Sequence, residues 1–209
     1  MKTIYIVRHG ESQENVDKIF SAGRAPLTEK GKKQAEALAE RFENIGLDAI
    51  FSSHFTRAEQ TAQIVAERKN MQYHVLDFTH EHAYLHDELA GKRKSEEEIQ
   101  KKLAIIKETW LKDEPDDNEI NEGYTELISR VDKFIDFINE KEEENILLVT
   151  HTMFIFAIVT RVYFKDRLKP SLVYLIRENS KLTNTGISIF LADEEGSWKL
   201  KTFNDDLHV

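Results

Sequence analysis

Apolar residues along this chain alternate between short continuous runs and stripes spaced three or four positions apart. The first run, Ile4-Tyr5-Ile6-Val7, is β-branched and aromatic and predicts a buried strand. The polar stretch Glu11-Ser12-Gln13-Glu14-Asn15 then reads as a loop. After Pro26-Leu27-Thr28, the stripe Ala35, Leu38, Ala39, Phe42 and Ile45 predicts a helix capped by Thr28 and stopped by Gly46. Asp48-Ala49-Ile50-Phe51 is a second short strand. Thr56-Arg57-Ala58-Glu59 has capping-box spacing and opens a helix that buries Ala58, Ala62, Val65 and Ala66. Tyr73-His74-Val75-Leu76 is a third strand.

From about residue 77 to 123 the pattern turns polar and β-branched runs vanish, as expected of an insertion over the sheet edge. Within it, Ser95-Glu96-Glu97-Glu98 resembles a second capping box, and Ile99, Leu103, Ile106 and Trp110 form one long helical stripe. Asp113-Glu114-Pro115-Asp116-Asp117 breaks it. A helix follows with Val131, Phe134, Ile135 and Ile138 on one face. The run Asn145-Ile146-Leu147-Leu148-Val149-Thr150 is a buried strand, and Phe154, Ile155, Ala157, Ile158 and Val159 belong to an apolar helix. Residues 172–176 fit helix or strand, and the reading here is helix. Residues 186–192 and 198–203 alternate and predict a hairpin turning at Glu194-Glu195-Gly196. This alternation predicts a three-layer α/β/α sandwich with a mainly parallel central sheet, an antiparallel edge and a partly helical cap. The whole is expected to be one domain, residues 1–209, with the cap inserted.

Composition narrows the function. The net charge of −9, from 29 basic and 38 acidic residues, argues against a surface for extended nucleic acid. It does not bear on a small anion, which feels only the local field. With no cysteine, disulfides and thiolate chemistry are excluded. Met1-Lys2-Thr3 leads straight into a strand without a signal-peptide layout, and no apolar run is long enough to span a bilayer. A cytoplasmic protein with no membrane partner is expected; oligomeric state leaves no mark on the pattern.

The candidate chemistry sits at strand ends. Arg8-His9-Gly10 closes the first strand, and His151 follows the strand ending at Thr150. Open α/β sheets bind ligands at that carboxyl edge. Neutral imidazole is nucleophilic and accepts a phosphoryl group without a metal, so His9 is the candidate nucleophile. The charge on the transferred group needs forked donors, which Arg8 and Arg57 supply. Arg57 and His151 both stand at helix starts, where backbone donors favour an anion. Asn15 and Ser21 add neutral donors in the loop after His9. A lone histidine after a strand is ordinarily structural and an arginine at a helix start ordinarily solvated. It is the convergence of Arg8, His9, Arg57 and His151 that points to a site. His80, His82 and His86 invite a metal reading, but are read instead as lining a pocket mouth and attracting an anion. Tyr84 and Trp110 are candidates to pack on an organic substrate part, with Trp110 read as helix core.

Val7-Arg8-His9-Gly10-Glu11-Ser12 with Asn15 resembles the signature of the histidine phosphatase superfamily, in its phosphoglycerate-mutase-like branch. Further segments match in order: Pro26-Leu27-Thr28-Glu29-Lys30-Gly31 with Gln34-Ala35, Ser52-Ser53 with Arg57-Ala58 and Gln60-Thr61-Ala62, Leu148-Val149-Thr150-His151, and Asn184-Thr185-Gly186. The resemblance implies that His9 is phosphorylated, that Arg8, Arg57 and His151 hold the phosphoryl group, and that Ser21 stands where relatives touch phosphate. It implies no metal or organic cofactor. The family's proton donor is a carboxylate after the third strand; Glu81 has the best position, with Asp87 and Glu88 as rivals. Asn121-Glu122-Gly123 departs from the Gly-Glu-Ser of many relatives, which weakens any substrate role carried over to Glu122. The implied function is hydrolysis of a small phosphorylated substrate, a phosphate monoester, through phosphohistidine. The alternatives are a phosphoglycerate mutase using the same phosphohistidine and a non-catalytic phosphoprotein- or anion-binding module.

Overall fold

A computed structural model of the chain describes residues 1–20, 23–82, 92–113 and 122–209. Ser21, Tyr84, His86, Asp87, Glu88 and Asn121 therefore lie outside the described residues. The strands are β1 (Lys2–Arg8), β2 (Ala49–Ser52), β3 (His74–Val75), β4 (Asn145–Thr150), β5 (Ile187–Ala192) and β6 (Trp198–Asp205). The helices are α1 (Gln13–Asp17), α2 (Glu29–Arg41), α3 (Thr56–Lys69), α4 (Glu97–Leu111), α5 (Tyr124–Asn139), α6 (Thr152–Phe164) and α7 (Pro170–Asn179).

The sheet order is β3-β2-β4-β1-β5-β6. The first four strands are mutually parallel, and β5 runs antiparallel between β1 and β6. Because side chains alternate across a strand, β1 and β4 each feed two cores. Ile4, Ile6, Ile146 and Leu148 pack on one face, beneath α5, α6 and α7. Val7, Leu147 and Val149 pack on the other, beneath α2 and α3. The layers are thus α/β/α, as the sequence pattern predicts. Among the described residues, no helix is long and apolar enough to cross a membrane.

Three predicted helix boundaries need correction. α2 does begin at a Thr28 cap, whose Oγ1 accepts from the Gly31 amide at 3.0 Å. It ends at Arg41 rather than near Gly46: Phe42 is the C-cap, its amide still donating to Leu38, and three-residue turns from Glu43 to Glu40 and from Ile45 to Phe42 follow. α3 is capped by Phe55, not Thr56, and has no capping box. The Phe55 carbonyl accepts from Ala58 and Glu59 while the Thr56 amide donates to Gly23, which sets the first turn one residue earlier. α4 is capped by Glu96 rather than Ser95; the Glu96 carboxylate turns back to the Arg93 amide at 2.7 Å. The helix reading of 172–176 and the hairpin turn at 194–196 both match the structure.

The loop carrying His9 is clamped against α2. Gly31 lets the two backbones meet: a Cβ there would lie 2.0 Å from the Glu11 carbonyl oxygen. The Glu11 amide donates to Gln34 Oε1, Leu27 to Gln60 Oε1, and Gly10 to Thr61 Oγ1. The segments that carry the family resemblance are therefore largely the scaffold of one loop.

Candidate active site

Register brings the two histidines together. β1 and β4 are neighbours with Arg8 opposite Thr150. Each strand is followed by a histidine, and the His9 amide donates to the Thr150 carbonyl at 3.0 Å. The imidazole centroids lie 5.0 Å apart, both rings buried. β2 borders β4 on the other side, so Ser53, one residue past β2, reaches His151 Nε2 at 2.8 Å.

Arg57 joins the two rings. Its position in the first turn of α3 sends the guanidinium across the strand ends. Nε donates to His9 Nε2 at 2.9 Å, and Nη2 lies 3.2 Å from His151 Nδ1. Arginine only donates, so His9 Nε2 and His151 Nδ1 are the lone-pair nitrogens. The protonated nitrogens then face acceptors: His9 Nδ1 donates to the Gly10 carbonyl at 2.7 Å, and His151 Nε2 to Ser53 Oγ. Both rings are neutral. Burial, reinforced by Arg57 and Arg8, holds the pKa of His9 well below the ordinary imidazole value. Burial and Arg57 do the same for His151, with lesser contributions from His9, His80 and Arg8.

Arg8 is fixed from the far side of β1. Its Nη1 donates to the Leu182 carbonyl at 2.6 Å, while its buried Nε–H has no partner among the described residues. The same 182–186 segment reaches His9: Asn184 Nδ2 donates to the His9 carbonyl at 2.9 Å and approaches Asn15 Oδ1 at 3.5 Å. Asn15 Oδ1 also accepts from the Ser12 amide.

Glu81 is held at the start of α6. Its Oε1 accepts from the amides of His82, at 3.0 Å, and Met153, at 2.9 Å. Arg130 on α5 donates to the carbonyls of Phe78 and His80 and pairs with Glu122, which pins the segment that delivers Glu81.

A cavity of about 600 Å³ opens over these groups, within the range of small-molecule sites. Arg8, His9, Glu14, Asn15, Arg57 and Glu81 line its inner part. Lys94, Leu103, Ile106 and Lys107 wall it from the α4 side, and Tyr174 and Arg177 from α7. The Phe20 amide donates to Lys92 and Lys94 to Lys18, which ties the loop after α1 to the segment before α4.

Of the sequence-derived candidates, Arg8, His9, Asn15, Arg57 and Glu81 meet at this cavity, with His151 touching Arg57 beneath it. The histidine cluster divides. His82 lines the cavity, but His80 stacks on Phe55, 5.9 Å between centroids, and is not among the lining residues, contrary to the expectation that it lines the mouth. Among the described residues no group of three metal-ligating side chains forms. Trp110 is fully buried against Tyr124 and His82, as the core reading expects. Glu122 pairs with Arg130 and does not line the cavity.

Sequence reasoning gave no role to Glu14, Ser53, Asn184, Lys94 or Arg177. Glu14 is a buried carboxylate whose Oε2 lies 3.2 Å from Arg57 Nη1. An acidic residue five positions after His9, in the turn of α1, was the available signal.

Comparison with known proteins identifies the family and the fold. The sequence model of the histidine phosphatase superfamily (branch 1) matches residues 4–206. An adenosylcobalamin/alpha-ribazole phosphatase of Salmonella typhi is 28% identical over 161 residues, covering 76% of this chain and 78% of that protein. A probable phosphoglycerate mutase of Enterobacter sp. (strain 638) is 43% identical over 68 residues, 32% of each chain. The crystal structure of a mutant phosphoserine phosphatase from Entamoeba histolytica, in complex with phosphoserine, superposes with a TM-score of 0.77 at 22% identity, covering 100% of both chains.

Proposed function

The chain belongs to the histidine phosphatase superfamily, branch 1, and on that premise we propose that it hydrolyses small phosphate monoesters through a phosphohistidine on His9. The observation that carries this is Arg57 Nε donating to His9 Nε2 while Nη2 of the same guanidinium meets His151. One buried cation addresses both imidazoles, at the place where a tetrahedral anion would sit.

The reaction follows from those hydrogen bonds. At 2.9 Å, the Arg57–His9 contact leaves no room for phosphorus. Substrate binding therefore exchanges it for hydrogen bonds from Arg57, Arg8 and Asn15 to phosphoryl oxygens. The freed Nε2 lone pair bonds to phosphorus as the ester P–O bond breaks, and the departing alkoxide takes a proton from Glu81. Nδ1–H stays on the Gly10 carbonyl and holds the tautomer. Water then attacks phosphorus and gives a proton to Glu81. The P–N bond breaks, its electron pair returns to Nε2, and orthophosphate leaves. Arg8, Arg57 and His151 neutralise charge in both steps. The described residues 92–111 serve as a cap, offering Leu103, Ile106, Lys94 and Lys107 to the organic part of the substrate.

The test is turnover of an aryl phosphate by the parent chain and by His9→Ala. The parent is expected to release phosphate and the variant to lose at least a thousandfold in rate; equal rates would overturn the reading. The partial match to a phosphoglycerate mutase supports the rival fate, return of the phosphoryl group to a bound intermediate. Isomerisation of 3-phosphoglycerate primed by a bisphosphoglycerate, exceeding hydrolysis, would favour that rival.

A further inference from the structure

Glu14 places a negative charge inside a pocket built for anions. The residue is 8% exposed, lines the cavity with His9, and its carboxylate lies 3.2 Å from Arg57. Its partner Arg57 is also the guanidinium that addresses both imidazoles. We propose that Glu14 makes this pocket selective for oxyanions that carry a proton, so that it takes a protonated phosphoryl group and rejects a fully ionised dianion such as sulfate. The inference rests on the phosphate reading of the pocket given above.

Charge balance is the first support. The buried cations are Arg8 at the end of β1 and Arg57 in α3; His9 and His151 are neutral. Against them stand the carboxylates of Glu14 on α1 and Glu81 before α6. Lys94 from the segment before α4, Lys107 on α4, and Arg177 and Glu178 on α7 also line the cavity, and Lys94 interacts with Glu81, Arg8 and Arg57. Of the carboxylates, Glu14 is the one paired with Arg57, so it cancels positive charge where the phosphoryl group is to bind and favours an anion of lower charge. A dianion brings more negative charge against that buried carboxylate, which is costly.

Hydrogen-bond chemistry is the second support. An ionised carboxylate only accepts. Next to a P–OH oxygen it gains a charge-assisted hydrogen bond; next to a fully ionised oxygen it meets repulsion. The Nε–H of Arg8, buried without a partner among the described residues, supplies a donor for an ionised oxygen of the same anion. The inner pocket therefore offers donors from Arg8 and Arg57 and one acceptor from Glu14. That is the complement of a singly protonated tetrahedral oxyanion.

Sulfate and phosphate differ little in size, but near pH 6 only phosphate carries protons. The experiment is calorimetric titration of each anion into the parent chain, Glu14→Gln and Glu14→Asp, at pH 6 and constant ionic strength. The parent is expected to bind phosphate at least tenfold tighter than sulfate. Glu14→Gln should narrow that ratio to within about threefold, mainly by gaining sulfate affinity, and Glu14→Asp should keep most of it. If Glu14→Gln weakens both anions alike, the carboxylate merely props Arg57 and the inference is overturned. An unchanged ratio overturns it too, while leaving the phosphate reading standing. Binding of neither anion by the parent would overturn the phosphate reading, and the inference with it.

Discussion

Each side chain at the cavity floor has one dominant chemical assignment, set by what it touches. His9 keeps its lone pair on Nε2 because the Gly10 carbonyl occupies Nδ1–H. Arg57 occupies that lone pair until an anion arrives. Glu81 differs from the histidines in being held by backbone amides at a helix start, so its position survives substitution better than its proton chemistry does. Glu81→Gln should therefore fold normally and lose about 10²–10³ in kcat on an alkyl phosphate, whose leaving group needs a proton. The loss on p-nitrophenyl phosphate should be far smaller, since that leaving group departs as an anion. Steady-state kinetics on the two esters checks the contrast, and equal losses on both would move the donor role to another group. At this scale the sequence was legible where a histidine follows a strand end, as His9 and His151 do, or an arginine opens the next helix, as Arg57 does. Glu14 and Ser53 were not, because a lone carboxylate or hydroxyl takes its meaning from partners 43 and 98 positions away.

Elements place these groups by gripping the backbone of the loops that carry them. α2 grips the His9 loop by the Gly31–Glu11 approach, so Gly31→Ala must push the Glu11 carbonyl away. The cost expected is ~1–3 kcal/mol of stability, together with a fall in kcat as the loop moves against Arg57. Thermal unfolding and aryl phosphate kinetics measure the two, and a variant unchanged in both would show that the loop tolerates the shift. Most elements could be read from hydrophobic period alone, and β4 was read to the residue. Helix boundaries were the weak point. Capping-box spacing at Thr56 and Ser95 suggested caps that tertiary contacts moved by one residue, to Phe55 and Glu96. That shift matters at α3, where it makes Arg57 the second helical residue.

For the molecule as a whole, the buried histidines link stability to pH. Both are held well below the ordinary imidazole pKa, chiefly by burial and Arg57. Unfolded, they recover a value near 6.5. Below that pH the unfolded chain takes up protons that the folded chain refuses, so stability is complete above about 6.5 and falls as pH falls. Each histidine contributes a slope of up to about 1.4 kcal/mol per pH unit. Circular-dichroism melts should show the parent losing stability from pH 6.5 to 5 and His9→Asn losing it less steeply; parallel slopes would contradict the buried neutral state. The three-layer architecture was readable from the alternation of strand and helix periods, and the site from two strands that are each followed by a histidine. The wall formed by α4 and α7 was not, because no local pattern says which helices a cavity will separate. The central claim is the covalent intermediate, and it is tested by mixing the protein with a ³²P-labelled monoester, quenching in alkali within milliseconds, and mapping the label. The account predicts an alkali-stable, acid-labile phosphate on His9, absent from His9→Ala. An active protein with no trapped label, or with label that persists in His9→Ala, would contradict it.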